Sequence, residues 1–226
     1  MSQSELAEHR GYLADGRKVA AYRAALAEVV APGDRVLDLG AGSGLLGYLA
    51  CDAGAGEVVA VDAGDIVGTA RRIAADNGYG DRITHVQALS TELVLDEPVD
   101  VAVCDQIGGL VHDAGVLACF ADVRRRLLRP GGRLVPAAFR VLLAPVTFDV
   151  GRQAVEFWAS APAGLDVSSV RGHAVNTEWR YNVAPEDATP LALGVELASF
   201  PADHDDPVGG AASFTVGTAG RFDGFL

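Results

Sequence analysis

Val36-Leu-Asp-Leu-Gly-Ala-Gly-Ser-Gly-Leu-Leu46 decides the reading of this chain. Arg35 to Gly40 has the continuous apolar character of a buried strand, and Leu45 to Ala53 reads as a helix. Between them stands Gly40-x-Gly42-x-Gly44. Glycines between a strand and a helix allow a sharp turn and a close backbone approach to a ligand. The same alternation runs outward from this loop. Glu57 to Asp62, Ile83 to Leu89 and Val99 to Asp105 read as further strands. Ile66 to Asn77, with Gly78 as its stop, and Phe120 to Leu128 read as helices. Pro130-Gly-Gly132 reads as a turn, and Arg133 to Val135 opens a fifth strand. Short apolar strands separated by helices imply a doubly wound α/β domain with a parallel sheet.

The ligand follows from what surrounds the glycines. The spacing is G-x-G-x-G, not the G-x-G-x-x-G of a dinucleotide site. Asp38 lies two residues before the first glycine, where a carboxylate would repel a diphosphate and suit a cation. Asp62, followed by Ala63, ends the second strand and is placed to accept hydrogen bonds from ribose hydroxyls. A ligand with a ribose, no phosphate and a positive end is S-adenosylmethionine. A nicotinamide-dependent dehydrogenase is the weaker reading of the same loop.

Composition narrows the class. The chain has 226 residues, half of them hydrophobic and 21% charged, which excludes disordered and fibrous classes. The formal charge is −12, which argues against a nucleic-acid partner. Lys18 is the single lysine. Cys51, Cys104 and Cys119 form no C-x-x-C pair, so neither a disulfide framework nor a metal site is expected. The polar N-terminus and the absence of a long apolar run predict a cytoplasmic protein without membrane attachment.

Near Pro136 the texture changes. Phe139 to Val146, Ala192 to Ser199 and Ala212 to Val216 read as strands with no helix between them, and Asp166 to Pro190 is a polar stretch. The expected organisation is a ligand-binding domain over 1–135 and a smaller antiparallel β domain over 136–226.

These motifs resemble the class I S-adenosylmethionine-dependent methyltransferases, and more narrowly the protein arginine methyltransferase branch. Glu8 to Asp15 through Tyr22-Arg23 resembles that branch's N-terminal helix, which folds over the cofactor. The resemblance implies a cation there for the methionine carboxylate, supplied by Lys18 or its neighbour Arg17. It also implies an adenine contact at Leu89 and a hydroxyl, Ser90 or Thr91, in place of the family's acid. Gly132 to Pro136, and Phe157-Trp158 with Gly164 to Val170, resemble the entry and signature of a β-barrel, here a partial one. The residues near 166–190 match the arm through which family members dimerise, implying a homodimer. The bare residues favour core packing for Phe157 and Trp158.

The acceptor loop departs from the family. It reads Cys104-Asp-Gln-Ile-Gly-Gly-Leu-Val-His-Asp-Ala114, with Asp105 where the family has its first glutamate and Ala114 at its second. Asp105 is expected to orient the acceptor, His112 to take a proton, and Asp113 to pair with His112 or hold a cation. The expected reaction is methyl transfer to an O, N or C nucleophile of a small molecule or peptide. The alternatives are an arginine N-methyltransferase with Asp105 and Asp113 as its guanidinium clamp, and a cofactor-binding module without turnover.

Overall fold

The computed structural model describes residues 3–108, 115–204 and 208–226. Two helices, α1 (Gln3–Ala14) and α2 (Gly16–Val29), precede the sheet. Asp15 caps α2, its side chain accepting the Lys18 N–H. Then follow β1 (Arg35–Leu39), α3 (Leu45–Ala53), β2 (Glu57–Asp62), α4 (Val67–Asp76), β3 (Ile83–Gln87), β4 (Val99–Cys104), α5 (Val116–Arg126) and β5 (Leu128–Val135). The five strands form one parallel sheet in the order β3-β2-β1-β4-β5. The direction of winding reverses between β1 and β4, so right-handed crossovers place α3 and α4 on one face and α5 on the other.

Strand alternation sorts the core. Val36, Val58, Ala60, Val101 and Val103 pack with Leu26 of α2 and Leu46, Leu49 and Ala50 of α3 in one cluster. Asp38 shares the face of Val36, which is why its carboxylate meets the first turn of α3. Gly78, with φ +78°, follows α4 as the sequence suggests.

One turn is absorbed into a strand. Val99 pairs with Leu128 and Val101 with Arg133, so Arg129 to Gly132 bulge opposite Asp100. Gly131 takes a positive φ of 77°, and Arg129 forms an ion pair with Asp100. Pro130-Gly-Gly132 therefore makes a bulge within β5 rather than a turn before it.

The chain divides into two compact units, one of residues 1–139 with 200–207 and a second of 140–199 with 208–226. The remaining elements are β6 (Ala138–Leu143), β7 (Pro145–Thr147), α6 (Asp149–Glu156), α7 (Arg171–Val175), β8 (Thr189–Pro190), β9 (Val195–Pro201) and β10 (Gly224–Phe225). β7 pairs antiparallel with both β8 and β10. β6 pairs with β9.

The helix-free reading of this region is corrected by α6 and α7. Arg152 of α6 pairs with Asp149 three residues before it and with Glu156 four after it, which supports a helix that a short apolar count does not reveal. Asp223 accepts the Phe148 N–H just before α6 and faces both Arg152 and Arg221. Ala212 to Val216 forms no strand: alternation marks a face but does not supply the neighbouring strand that must pair with it. Phe157 and Trp158 do not form core. They end α6 in a surface turn, packed edge-to-face on each other, with Phe157 49% exposed.

Candidate active site

Ligands of open α/β sheets bind beyond the carboxyl ends of the strands where the winding reverses. Here that point lies between the end of β1 and the end of β4. A cavity of about 280 Å³ opens there, walled by the glycine loop, Asp38, Asp62, Asp105, Gln106 and one face of α1.

The loop is tied down by its own backbone. Ala41 N–H donates to Val61 C=O at 3.0 Å, and Gly44 N–H to Ala41 C=O at 2.7 Å. Gly40 and Gly42 have φ of +64° and +53°. A Cβ on Gly40 would strike the Gln106 carboxamide, and one on Gly42 would meet the His9 ring at 3.1 Å. Gly44 serves differently: it caps α3 in the left-handed region and packs against Tyr48, away from the cavity wall.

Two carboxylates are fixed beside the loop. Asp62 accepts Gly42 N–H at 2.8 Å on one oxygen and Gly64 N–H at 2.7 Å on the other. Each oxygen keeps lone pairs for a ligand hydroxyl. Asp38 is fully buried; its Oδ2 accepts Gly47 N–H at 2.8 Å. Its Oδ1 has no hydrogen-bond partner among the described residues. Burial pushes its carboxyl up to about 7; the Gly47 bond opposes this, and the charges of Asp105 and Asp62 add to it.

Asp105 lies just past β4. The Lys18 Nζ donates to its Oδ2 at 2.8 Å and stands 4.4 Å from the centre of the Tyr12 ring. The Tyr12 hydroxyl donates to Glu8 at 2.8 Å, and this bond is the main reason its pKa rises to about 12. The Tyr22 hydroxyl donates to Cys104 C=O at 2.9 Å, pinning α2 to the end of β4.

The structure thus gathers Asp38, Gly40, Gly42, Asp62 and Asp105 around one cavity and brings Lys18 to its edge through Asp105. Ala63, Leu89 and Ser90 lie outside its wall; the Ser90 hydroxyl stands 3.8 Å from the Cys119 sulfur. His112 and Asp113 fall outside the described residues. Glu5, Glu8, His9 and Tyr12 were not among the expected site residues, yet all four line the cavity. Their i, i+3, i+4, i+7 spacing puts them on one face of α1, and that polar stripe was the available signal.

Residues 23–137, half of the chain, match the family model described as Ribosomal protein L11 methyltransferase (PrmA). The chain belongs to that methyltransferase family. Among the class I S-adenosylmethionine-dependent methyltransferases, it resembles the protein arginine methyltransferase branch. It is 28% identical over 206 residues to Protein arginine N-methyltransferase 6 of Xenopus tropicalis, covering 87% of this chain and 60% of that one. It is also 28% identical over 172 residues to Probable protein arginine N-methyltransferase 6 of Arabidopsis thaliana, covering 75% of this chain and 39% of that relative. The chain therefore spans less than two thirds of the length of these curated relatives. Among solved structures, the Trypanosoma brucei PRMT1 enzyme-prozyme heterotetrameric complex with AdoHcy matches with a TM-score of 0.79 at 26% identity, covering 88% of this chain and 62% of that one. Arabidopsis thaliana Protein Arginine Methyltransferase 10 shares the fold, with a TM-score of 0.72 at 21% identity and coverage of 88% and 63%.

The residues present fit the cofactor of this class. The glycine cradle would be filled by a Cβ at Gly40 or Gly42, Asp62 lines the same cavity, and the Asp38 Oδ1 has no hydrogen-bond partner among the described residues.

Proposed function

We propose that this protein catalyses methyl transfer from S-adenosylmethionine to an O, N or C nucleophile of a small molecule or peptide. The observation that carries the reading is a cavity lined together by Asp62, the glycine cradle and Asp105. The cofactor supplies a sulfonium-activated methyl group and leaves as a neutral thioether, so no acid is needed for its departure. The chain's own residues bind and align. Gly40 and Gly42 admit the cofactor to the backbone, and Asp62 accepts the ribose hydroxyls. The Asp38 carboxylate favours the sulfonium, and Lys18 serves the methionine carboxylate. Leu89 and Ser90 are assigned to the adenine side by the family resemblance. Asp105 orients the acceptor lone pair toward the methyl group, with His112 as proton acceptor where the nucleophile must lose a proton.

The names of the relatives favour a second reading, protein arginine as acceptor, with Asp105 and Asp113 clamping the guanidinium. A homodimer built through the arm near 166–190 is part of the proposal. It is supported by the exposed Leu165, Val175 and Trp179 in and beside that stretch. We place the protein in the cytoplasm on its cysteine usage; no described helix is long and apolar enough to cross a membrane.

Calorimetric titration with S-adenosylhomocysteine and, separately, with NAD tests the reading. Micromolar binding of the first and none of the second is expected; the reverse would make the protein a nicotinamide binder. Asp62→Ala is expected to weaken S-adenosylhomocysteine binding by about 1.5–3 kcal/mol, the loss of hydrogen bonds to a charged group. Asp105→Asn is expected to keep that affinity and to lower turnover by roughly ten- to a hundredfold, as misplacing an orienting group does. Unchanged turnover would remove Asp105 from the mechanism, and turnover absent in every acceptor screen alongside tight cofactor binding would favour the module without catalysis.

A further inference from the structure

A second cavity, of about 420 Å³, opens on the face of β2 and β3 and shares no lining residue with the first. The crossover from β3 to β4 accounts for it. In a doubly wound sheet the crossovers lay helices on both faces. Here residues 88–98 carry one 3-10 turn, Ser90–Glu92, and no α-helix, so part of the β3 face lies uncovered. Val59 and Leu93 are buried in the walls of this groove, whereas Thr84 is exposed and Val94 is 85% exposed. Thr84, Val86 and Ala88 alternate onto the open face in a row about 13 Å long. The charged groups of the groove are Glu57, Glu92, Asp96 and Arg35. The Arg35 guanidinium donates to Glu57, to Asp96 and to the Glu97 C=O, so the one cation is already engaged by the chain itself. Three carboxylates against one guanidinium leave the groove net negative, in a chain of formal charge −12.

We propose that this groove docks an extended segment of a partner protein, apolar at alternate positions and carrying Arg or Lys at its ends. The row along β3 has the two-residue spacing of a strand, so alternate apolar side chains of an extended segment meet it in step. Val94 supplies apolar area at the lip, and Glu92 and Asp96 draw the basic ends. The segment packs on the face of the sheet and does not extend it. β3 is the outer strand, and Arg82 C=O and Ala88 N–H bond to β2, so alternation turns the His85 C=O to the free edge. The Arg71 guanidinium donates to that carbonyl at 2.8 Å and blocks strand addition there. The groove lies apart from the cofactor cavity, and the proposal does not depend on methyl transfer.

The probe is the peptide acetyl-Arg-Val-Ser-Val-Ser-Val-Arg-amide, titrated at constant ionic strength into the full chain labelled with 13C at its Val, Leu and Ile methyl groups. The methyl signals of Val86, Leu93 and Val94 should shift, while those of Leu45, Leu46 and Ile66, which line the cofactor cavity, should stay in place. A peptide with Glu for both Arg, or with Ser for every Val, should shift none of them. Calorimetry should show the first peptide binding about tenfold more weakly when Glu92→Lys and Val94→Ser are combined. Both side chains are exposed, and the far-UV circular dichroism of that variant should match the parent. Arg71→Gln, which uncaps the β3 edge, should leave the affinity near the parental value. Shifts at Leu45, Leu46 and Ile66 in place of the groove signals, no shift at all, or equal shifts with the Glu-ended peptide would overturn the proposal. The methyl titration of the parent reads it even where a variant does not fold.

Discussion

Gly42→Val is expected to leave S-adenosylhomocysteine binding undetectable, a loss of more than about a hundredfold in affinity. Three effects converge at this residue. Its φ of +53° lies in the left-handed region, which a β-branched side chain enters at a cost of about 1–3 kcal/mol. Its Cβ would stand 3.1 Å from the His9 ring, which would have to give way at the cavity wall. Its N–H donates to Asp62, so any shift of the loop disturbs the carboxylate assigned to the ribose. The loop lies outside the sheet, so the far-UV circular dichroism of the variant should match the parent. Gly11→Ala is the control. Gly11 sits inside α1 with nothing within 4 Å of an added Cβ, and the substitution should stabilise the helix by about 0.5–1 kcal/mol without loss of affinity. Parental affinity in Gly42→Val would mean that the cofactor does not approach the loop backbone, and the assignment of this cavity would fail.

The first half of the chain was legible because its signals are local. The limits of α3 and β2 follow from the apolar run and the flanking glycines, and the observed spans are the expected ones. Asp38, Gly40, Gly42 and Asp62 converge because the strand-loop-helix connection leaves them no other place. What was missed depends on partners distant in sequence. The bond between Lys18 and Asp105 joins residues 87 positions apart and became visible only when α2 was packed against the end of β4. Phe157 reads as core by its chemistry and stands exposed because α6 ends there at the surface. The helix α6 itself is held by Arg152 and by Asp223, more than seventy residues beyond its start, neither of which enters a periodicity count.

Asp38 should make the stability of the glycine-loop domain depend on pH between about 4 and 7. Its carboxyl is raised from 3.8 to about 7 in the folded protein, chiefly by burial. A raised carboxyl binds its proton more tightly folded than unfolded. The stabilisation is therefore fully present below about 4 and lost as pH climbs to 7, on the order of 4 kcal/mol in all. His85, lowered by burial, acts with the opposite slope below about 6.5, so the parent curve alone does not isolate Asp38. Asp38→Asn isolates one of them. Its side-chain oxygen can still accept the Gly47 N–H, and its amide group replaces the unpartnered oxygen without a charge. Relative to the parent, the variant should gain as pH rises from 5 to 8, with a Tm about 5 °C higher at pH 8, part of the gain being offset by the unpaired amide. The same substitution removes a negative charge beside the cavity. It should therefore weaken S-adenosylmethionine, which carries the sulfonium, more than S-adenosylhomocysteine, which does not. Thermal denaturation from pH 5 to 8 and paired titrations of the two ligands read both effects. Parallel pH curves for variant and parent would show that Asp38 is ionised in the folded protein throughout, and that the buried carboxylate is stabilised by a group other than Gly47.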